Sequence, residues 1–176
     1  MPLLSPNTAS LQYGRITVLD HDQLGPIFLD YNPFGWTGTS TATANRARFI
    51  PIVVQQTCIA YRMFFHVSAN ASGNCDVGIY DESGTRLVSS GSVAVTINSN
   101  MVDIPDTTLT PGRYFLAFSL SSATVSLIVG SITTSLARST GMGNASAALP
   151  LPASVPLAGS AAEGFIPVLG VDLRGF

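Results

Sequence analysis

Hydrophobic and polar positions alternate along residues 58–120, and short polar breaks divide them into blocks. The blocks read CIAYRMFFHV, CDVGIYDESGTRLVSSG, VAVTI and LTPGRYFLAFSL. Gly, Pro, Asn, Asp or Ser separates each block from the next, the pattern of consecutive antiparallel strands joined by turns. In the first block Ile59, Tyr61, Met63, Phe65 and Val67 share one face. Period two makes that the core face and leaves Phe64 and His66 on the other, with Phe64 a candidate contact between subunits. A hairpin near Ala71 would place Cys75 opposite Val67. Asp81, Glu82, Ser83 and Gly84 form a strong hairpin turn. Val93, Val95 and Ile97 point inward on the next strand, and residues 98–100 turn. Residues 109–112, Leu-Thr-Pro-Gly, make a tight turn before Tyr114, Leu116, Phe118 and Leu120, which again share a face.

Flanking segments extend the pattern. Residues 15–19 are β-branched and fit a first strand. Residues 46–54, RARFIPIVV, contain Pro51, which cannot donate to a ladder and so marks an edge strand or a bulge. Residues 125–132 predict another strand, with a bulge at Gly130. Residues 165–173, FIPVLGVDL, close the domain and echo the Phe-Ile-Pro of residues 49–51. Between them, residues 139–164 hold prolines at 150, 152 and 156 and a single charge, Glu163. They read as a long apolar loop packed on the body or on a neighbouring subunit. The expected fold is all-β, an antiparallel two-sheet sandwich of jelly-roll type with about eight strands. An N-terminal arm with an aromatic loop (1–45) would precede the sandwich domain (46–176).

Composition changes the picture from fold to habit. The 176 residues suit one domain, but only 10% are charged against 46% hydrophobic, and all eight basic residues are Arg. Soluble domains average about 25% charged residues. A surface solvated by Ser, Thr and Asn is poorly protected against association, so other chains are expected to cover much of it. The formal charge of −2 gives no footprint for nucleic acid, and Arg46 with Arg48 does not make a patch. No apolar run is long enough for a membrane helix, and residues 1–14 do not read as a secretory signal. Cytoplasmic synthesis agrees with reading Cys58 and Cys75 as two buried thiols more readily than as a disulfide.

Chemistry is sparse. Asp20-His21-Asp22 has metal-ligand types, yet it reads better as an exposed polar turn before Gly25-Pro26. His21 and His66 are the only histidines, and no base–nucleophile pair or nucleophile elbow is legible, so no catalytic residues, cofactor or metal are expected. Residues 27–36, IFLDYNPFGW, gather Phe28, Tyr31, Phe34 and the only Trp, Trp36. These rings either plug one end of the β-core or form a contact surface, the plug being the more frequent case. As a contact surface, Tyr31 and Trp36 beside Asp30 and Asn32, with Tyr13, would suit polysaccharide. The alternative function is therefore a carbohydrate-binding module.

Phe49-Ile50-Pro51, then Val77-Gly78-Ile79-Tyr80-Asp81 with its turn, then Leu109-Thr110-Pro111-Gly112 with Tyr114, Leu116 and Ala117, form a wider pattern. It resembles the β-sandwich modules of tailed-phage virion proteins, especially tail-fibre and receptor-binding proteins, over residues 49–120. The resemblance implies a non-enzymatic virion protein: a short tail fibre or tip, or a capsid decoration. It would be assembled in the host cytoplasm as a homo-oligomer, a trimer by analogy, alongside other virion proteins and facing host polysaccharide. The chain lacks the coiled-coil heptads and shaft repeats of a long fibre.

Overall fold

The computed structural model describes residues 16–17, 38–131, 135, 141–146, 149–157 and 165–174. Its strands, in chain order, are β1 (Ile16–Thr17), β2 (Gly38–Thr41), β3 (Arg46–Val54), β4 (Cys58–Ala69), β5 (Asn74–Asp81), β6 (Arg86–Ser89) and β7 (Val93–Ala94). They continue with β8 (Asn98–Leu109), β9 (Gly112–Leu120), β10 (Ser126–Ser131), β11 (Gly143–Ser146), β12 (Phe165–Pro167) and β13 (Leu169–Arg174). They form two packed sheets. One runs β3-β9-β5-β6 and the other β2-β10-β4-β8, each neighbour antiparallel to the next. Counted along the chain, these eight strands take the order second, seventh, fourth, fifth in one sheet and first, eighth, third, sixth in the other. That is the strand order of a jelly roll, and the two antiparallel sheets are the expected sandwich.

Short segments complete the edges and the middle. β11 and β1 share the free edge of β3, β1 running parallel to it, and β7 pairs with β5 beyond β6. In the second sheet, β10 and β4 pair only at Ser126–Ala69 and Leu127–Val67 and then diverge. The C-terminal strands fill that wedge, β12 pairing with β10 and β13 with β4.

Three prolines lie inside strands, and each sits where a ladder is interrupted. Pro51 falls between the stretch of β3 paired to β11, which ends at Phe49, and the stretch paired to β1, which starts at Ile52. Pro167 ends β12 where the chain changes partner from β10 to β4. Pro105 lies in β8 between Asp103 and Thr107, where the pairing with β4 shifts register. A residue without an N–H is tolerated at such breaks. Both Phe-Ile-Pro segments thus end where the strand changes partner on one side.

The core between the sheets is close to the expected one. Met63, Phe65, Val77, Ile79, Leu116, Phe118 and Leu120 are buried there, joined by Ile50, Ile52, Leu127 and Val171. Four expectations need correction. Ile59 and Tyr61 are only half-buried while Cys58 and Ala60 are buried, because a β-bulge at Tyr61 reverses the alternation within β4. Ile97 is 54% exposed, because residues 95–97 cross between the sheets, whereas Val95 is buried in the core and half-buried Val93 packs against it as expected. Asn100 sets that crossing. Its Oδ1 accepts from the Thr96 N–H (2.8 Å) and its Nδ2 donates to the Thr96 carbonyl (2.8 Å). Residues 98–100 therefore open the long strand β8 instead of turning, helped by Asn98 at φ 74°. Third, β4 and β5 do not form a hairpin. They lie in different sheets, with Met63, Phe65 and Val67 meeting Cys75, Val77 and Ile79 across the core. Last, Gly130 pairs regularly with Ile166, and the irregularity of β10 is at Ser126/Leu127.

The first sheet is buried on its outer side too. Ala47, Phe49, Tyr80, Phe115 and Ala117 form a second apolar cluster, covered by Leu151 and Val155. Residues 149–157 cross this face as a strap. The Arg86 N–H donates to the Ala153 carbonyl (2.9 Å), the Val155 N–H to Gly84 (2.9 Å) and the Tyr80 hydroxyl to the Pro152 carbonyl (2.7 Å). Buried Asp76 accepts from the Leu151 N–H (2.6 Å) and from the hydroxyls of Ser89 and Ser90. Gly84, at φ 85°, lets the strap approach, since a Cβ there would run into the Val155 carbonyl. The described parts of 139–164 therefore pack on this chain's own body.

Candidate functional site

The interior is filled by side chains. Phe65 and Phe118 stack at 6.0 Å, and buried Arg48 lies over the rings of Phe118 (5.6 Å) and Phe165 (5.1 Å). A cavity lined by Arg48, Phe49, Ile50, Met142, Gly143, Phe165 and Pro167 has a volume of about 10 Å³. That is room for one water at most. Arg48 thus acts as a core residue and contributes to no basic surface.

The polar side chains converge instead on the outer face of the second sheet. Register places Arg62 of β4 opposite Asp103 of β8 on one side and Asp172 of β13 on the other. Arg62 Nε donates to Asp103 Oδ1 at 2.9 Å. Next to it the bulge displaces Tyr61, whose ring lies 5.6 Å from the Arg62 guanidinium and 5.3 Å from that of Arg174. Arg174 in turn forms an ion pair with Asp106. Bulges re-aim side chains and bring neighbours out of alternation, which is how Tyr61 comes to stand between two arginines. Asp103 (82% exposed), Asp106 and Arg174 are open to solvent, whereas Asp172 is 9% exposed. Burial pushes the Asp172 carboxyl above its ordinary value, and the Arg62 charge partly opposes the shift. In a chain of eighteen charged residues, five gather here.

The rows above this cluster are less polar. Phe64 lies between Gly170 and Met101. It is on the outer face as expected, but it is buried (6% exposed) and so is a packing residue in this chain. Met101 is half-exposed. His66 Nδ1 lies 3.3 Å from Ser99 Oγ, a partner that sequence spacing did not mark. The pair is exposed, and no carboxylate among the described residues hydrogen-bonds the ring to orient it as a catalytic base would need.

Tyr31, Trp36, Asp30 and Asn32 lie outside the described residues, as do Tyr13, Asp20, His21 and Asp22. Among the described residues no group of three His, Cys, Asp or Glu side chains could hold a metal ion. No helix among them is long and apolar enough to cross a membrane. Cys58 and Cys75 are free and buried. Burial raises both thiols, Cys75 to about 12 with help from the Asp76 charge, so neither is an activated nucleophile.

Sequence reasoning missed every member of the Tyr61 cluster. The one signal was the isolated charge of Arg62 in an otherwise apolar strand. Its carboxylate partners lie 41 and 110 positions further along the chain, and only the register of three strands brings them together. The class that this structure defines is a jelly-roll β-sandwich. No protein-family model and no curated protein matches the chain.

Proposed function

We propose that this chain is a non-enzymatic structural protein of a tailed-phage virion, a short tail fibre, fibre tip or capsid decoration. It works as a homo-oligomer, with three copies by analogy, through shape and many weak contacts multiplied by copy number. Its place is the virion, after assembly in the host cytoplasm. The observation that supports this reading is the jelly roll with a packed interior and a sparsely charged exterior, so that the outer faces and edges are the working parts. Jelly rolls serve as capsid and lectin domains, and the fold alone does not choose between them. The low charge favours assembly, because few like-charge contacts oppose the approach of copies. Exposed Leu87, Ile97 and Met101 add apolar area to that exterior.

Sedimentation equilibrium of the purified full chain tests the reading. A discrete oligomer that persists on dilution is the expected result. A monomer at every concentration, together with no binding to phage particles that lack the protein, would overturn it.

A further inference from the structure

Ser131 of β10 and Phe165 of β12 are register partners. The chain therefore leaves this ladder after Ser131 and re-enters it opposite, and residues 132–164 are an excursion whose two ends stand side by side. The excursion carries β11 and the strap. β11 ends at Ser146 and the strap starts at residue 149, so the two travel as one piece. Both dock on the first sheet, β11 on the edge of β3 and the strap across Phe49, Tyr80 and Phe115. The apolar cluster under the strap is separate from the core between the sheets, to which the excursion adds Met142 alone among the described residues. All eight jelly-roll strands, β12 and β13 lie outside the excursion.

We propose that copies of this chain exchange this excursion, so that the strap of one copy lies on Phe49, Tyr80 and Phe115 of its neighbour. The occupant is fixed by the fit that the structure shows. Gly84 leaves room for the Val155 carbonyl, Asp76 accepts from the Leu151 N–H, and the Tyr80 hydroxyl donates to the Pro152 carbonyl. Thr85 and Ser154 add an antiparallel bridge. Main-chain bonds of this kind hold an extended segment, and Leu151 and Val155 are its apolar anchors. Any copy of the segment meets the same groups, so the contacts are alike within a chain and between chains. Effective concentration then decides. A chain's own strap is held over its groove at a concentration on the order of millimolar by its tether. Copies packed side by side in a particle present a neighbour's strap at a comparable concentration, and each exchanged strap ties two copies together. Both ends of the excursion leave from one place, so it reaches a neighbour without threading, and only the edge strand β11 changes chains with it. The strap carries no charge, so no like-charge repulsion opposes the contact. The proposal rests on the homo-oligomer reading and names the contact that such an oligomer uses.

The test is a cysteine trap in the full chain. Thr85 and Ser154 are bridge partners with exposed side chains, so Thr85→Cys combined with Ser154→Cys places two thiols within disulfide reach on a surface that tolerates them. The native thiols of Cys58 and Cys75 are buried and do not compete. After oxidation, the expected result is a covalent multimer on a non-reducing gel. Peptide mapping of that band should join position 85 of one chain to position 154 of another. Disulfides confined to single chains, in a species that sediments as an oligomer, would overturn the exchange and leave the homo-oligomer reading standing. A monomer at every concentration would overturn both. Absence of either link would overturn the exchange too, since the strap would then not lie on the hairpin. A second variant gives a kinetic readout. Leu151→Ala removes an anchor in both arrangements, so it should speed the mixing of labelled and unlabelled oligomers about tenfold or more while leaving their size unchanged. Mixing at the wild-type rate would contradict the exchange, because copies joined without the strap do not need it to open.

Discussion

Asp81 shows how much a single exposed side chain can do when its geometry is right. Its Oδ1 accepts from the Ser83 hydroxyl (2.6 Å) and from the N–H groups of Ser83 (2.9 Å) and Thr85 (3.0 Å), closing the hairpin between β5 and β6. These bonds, the Ser83 hydroxyl first, hold the Asp81 carboxyl below its ordinary value. A lowered carboxylate contributes stability that is present above the unfolded value and lost as pH falls through the folded one. Asp81→Ala should therefore cost about 1 kcal/mol at neutral pH, a modest figure because the group is exposed. The difference from wild type should shrink in acid, as read by denaturant titration below pH 4. Cys75 gives the opposite case. Its thiol is pushed up to about 12, so the folded chain keeps a proton that the unfolded chain releases from about pH 9 upward. Stability should fall across that window, this group contributing at most about 1.4 kcal/mol per pH unit. The part of the slope removed in Cys75→Ala measures it. Native thiols that react with a disulfide reagent as fast as unfolded ones would contradict the burial on which this rests.

The strap makes its argument at the scale of elements. Residues 149–157 have no strand pattern of their own, yet they bury Leu151 and Val155 on Phe49, Tyr80 and Phe115. Leu151→Ala should cost about 2–5 kcal/mol, the range for buried leucines, and expose the strap to protease. Gly84→Ala should act in the same direction, because it strains a left-handed φ and pushes against the Val155 carbonyl. A proteolysis pattern unchanged in both variants would mean that the strap is held by something else. These elements also show what could be read in advance. The inward faces of β5 and β9 were legible because their alternation is unbroken. The outer cluster was half-legible: β3 and β9 are nearly continuous apolar runs, the mark of a strand buried on both faces. β8 was not legible, because Asp103, Pro105 and Asp106 break its pattern, although those residues suit an edge strand that must not recruit another chain. The Tyr61 cluster was hidden for a different reason. A one-residue bulge reverses which side chains face out, and nothing local announces a bulge.

For the whole molecule, the division between what holds the sandwich and what lies outside it can be tested by removing chain. The eight jelly-roll strands, four in each sheet, all lie between Gly38 and Ser131, with β12 and β13 filling the wedge from the other end of the chain. Among the described residues that precede Gly38, Ile16 and Thr17 pair with Ile52 and Val53 at an edge. The described core between the sheets is drawn from residues 42–173, and buried apolar area is what drives folding. Deleting residues 1–14 should leave the β-type circular dichroism spectrum and the melting temperature nearly unchanged. On the reading of this chain as a virion component with an N-terminal docking arm, the same deletion should abolish attachment to the particle. Deleting residues 165–176 should do the reverse of the first result and unfold the chain, since β4 and β10 would lose Leu169, Val171 and Leu173 from the shared core. A truncation at residue 14 that unfolds the domain would place the arm inside the structural unit. A folded truncation that still binds particles would move the docking role to the sheet faces.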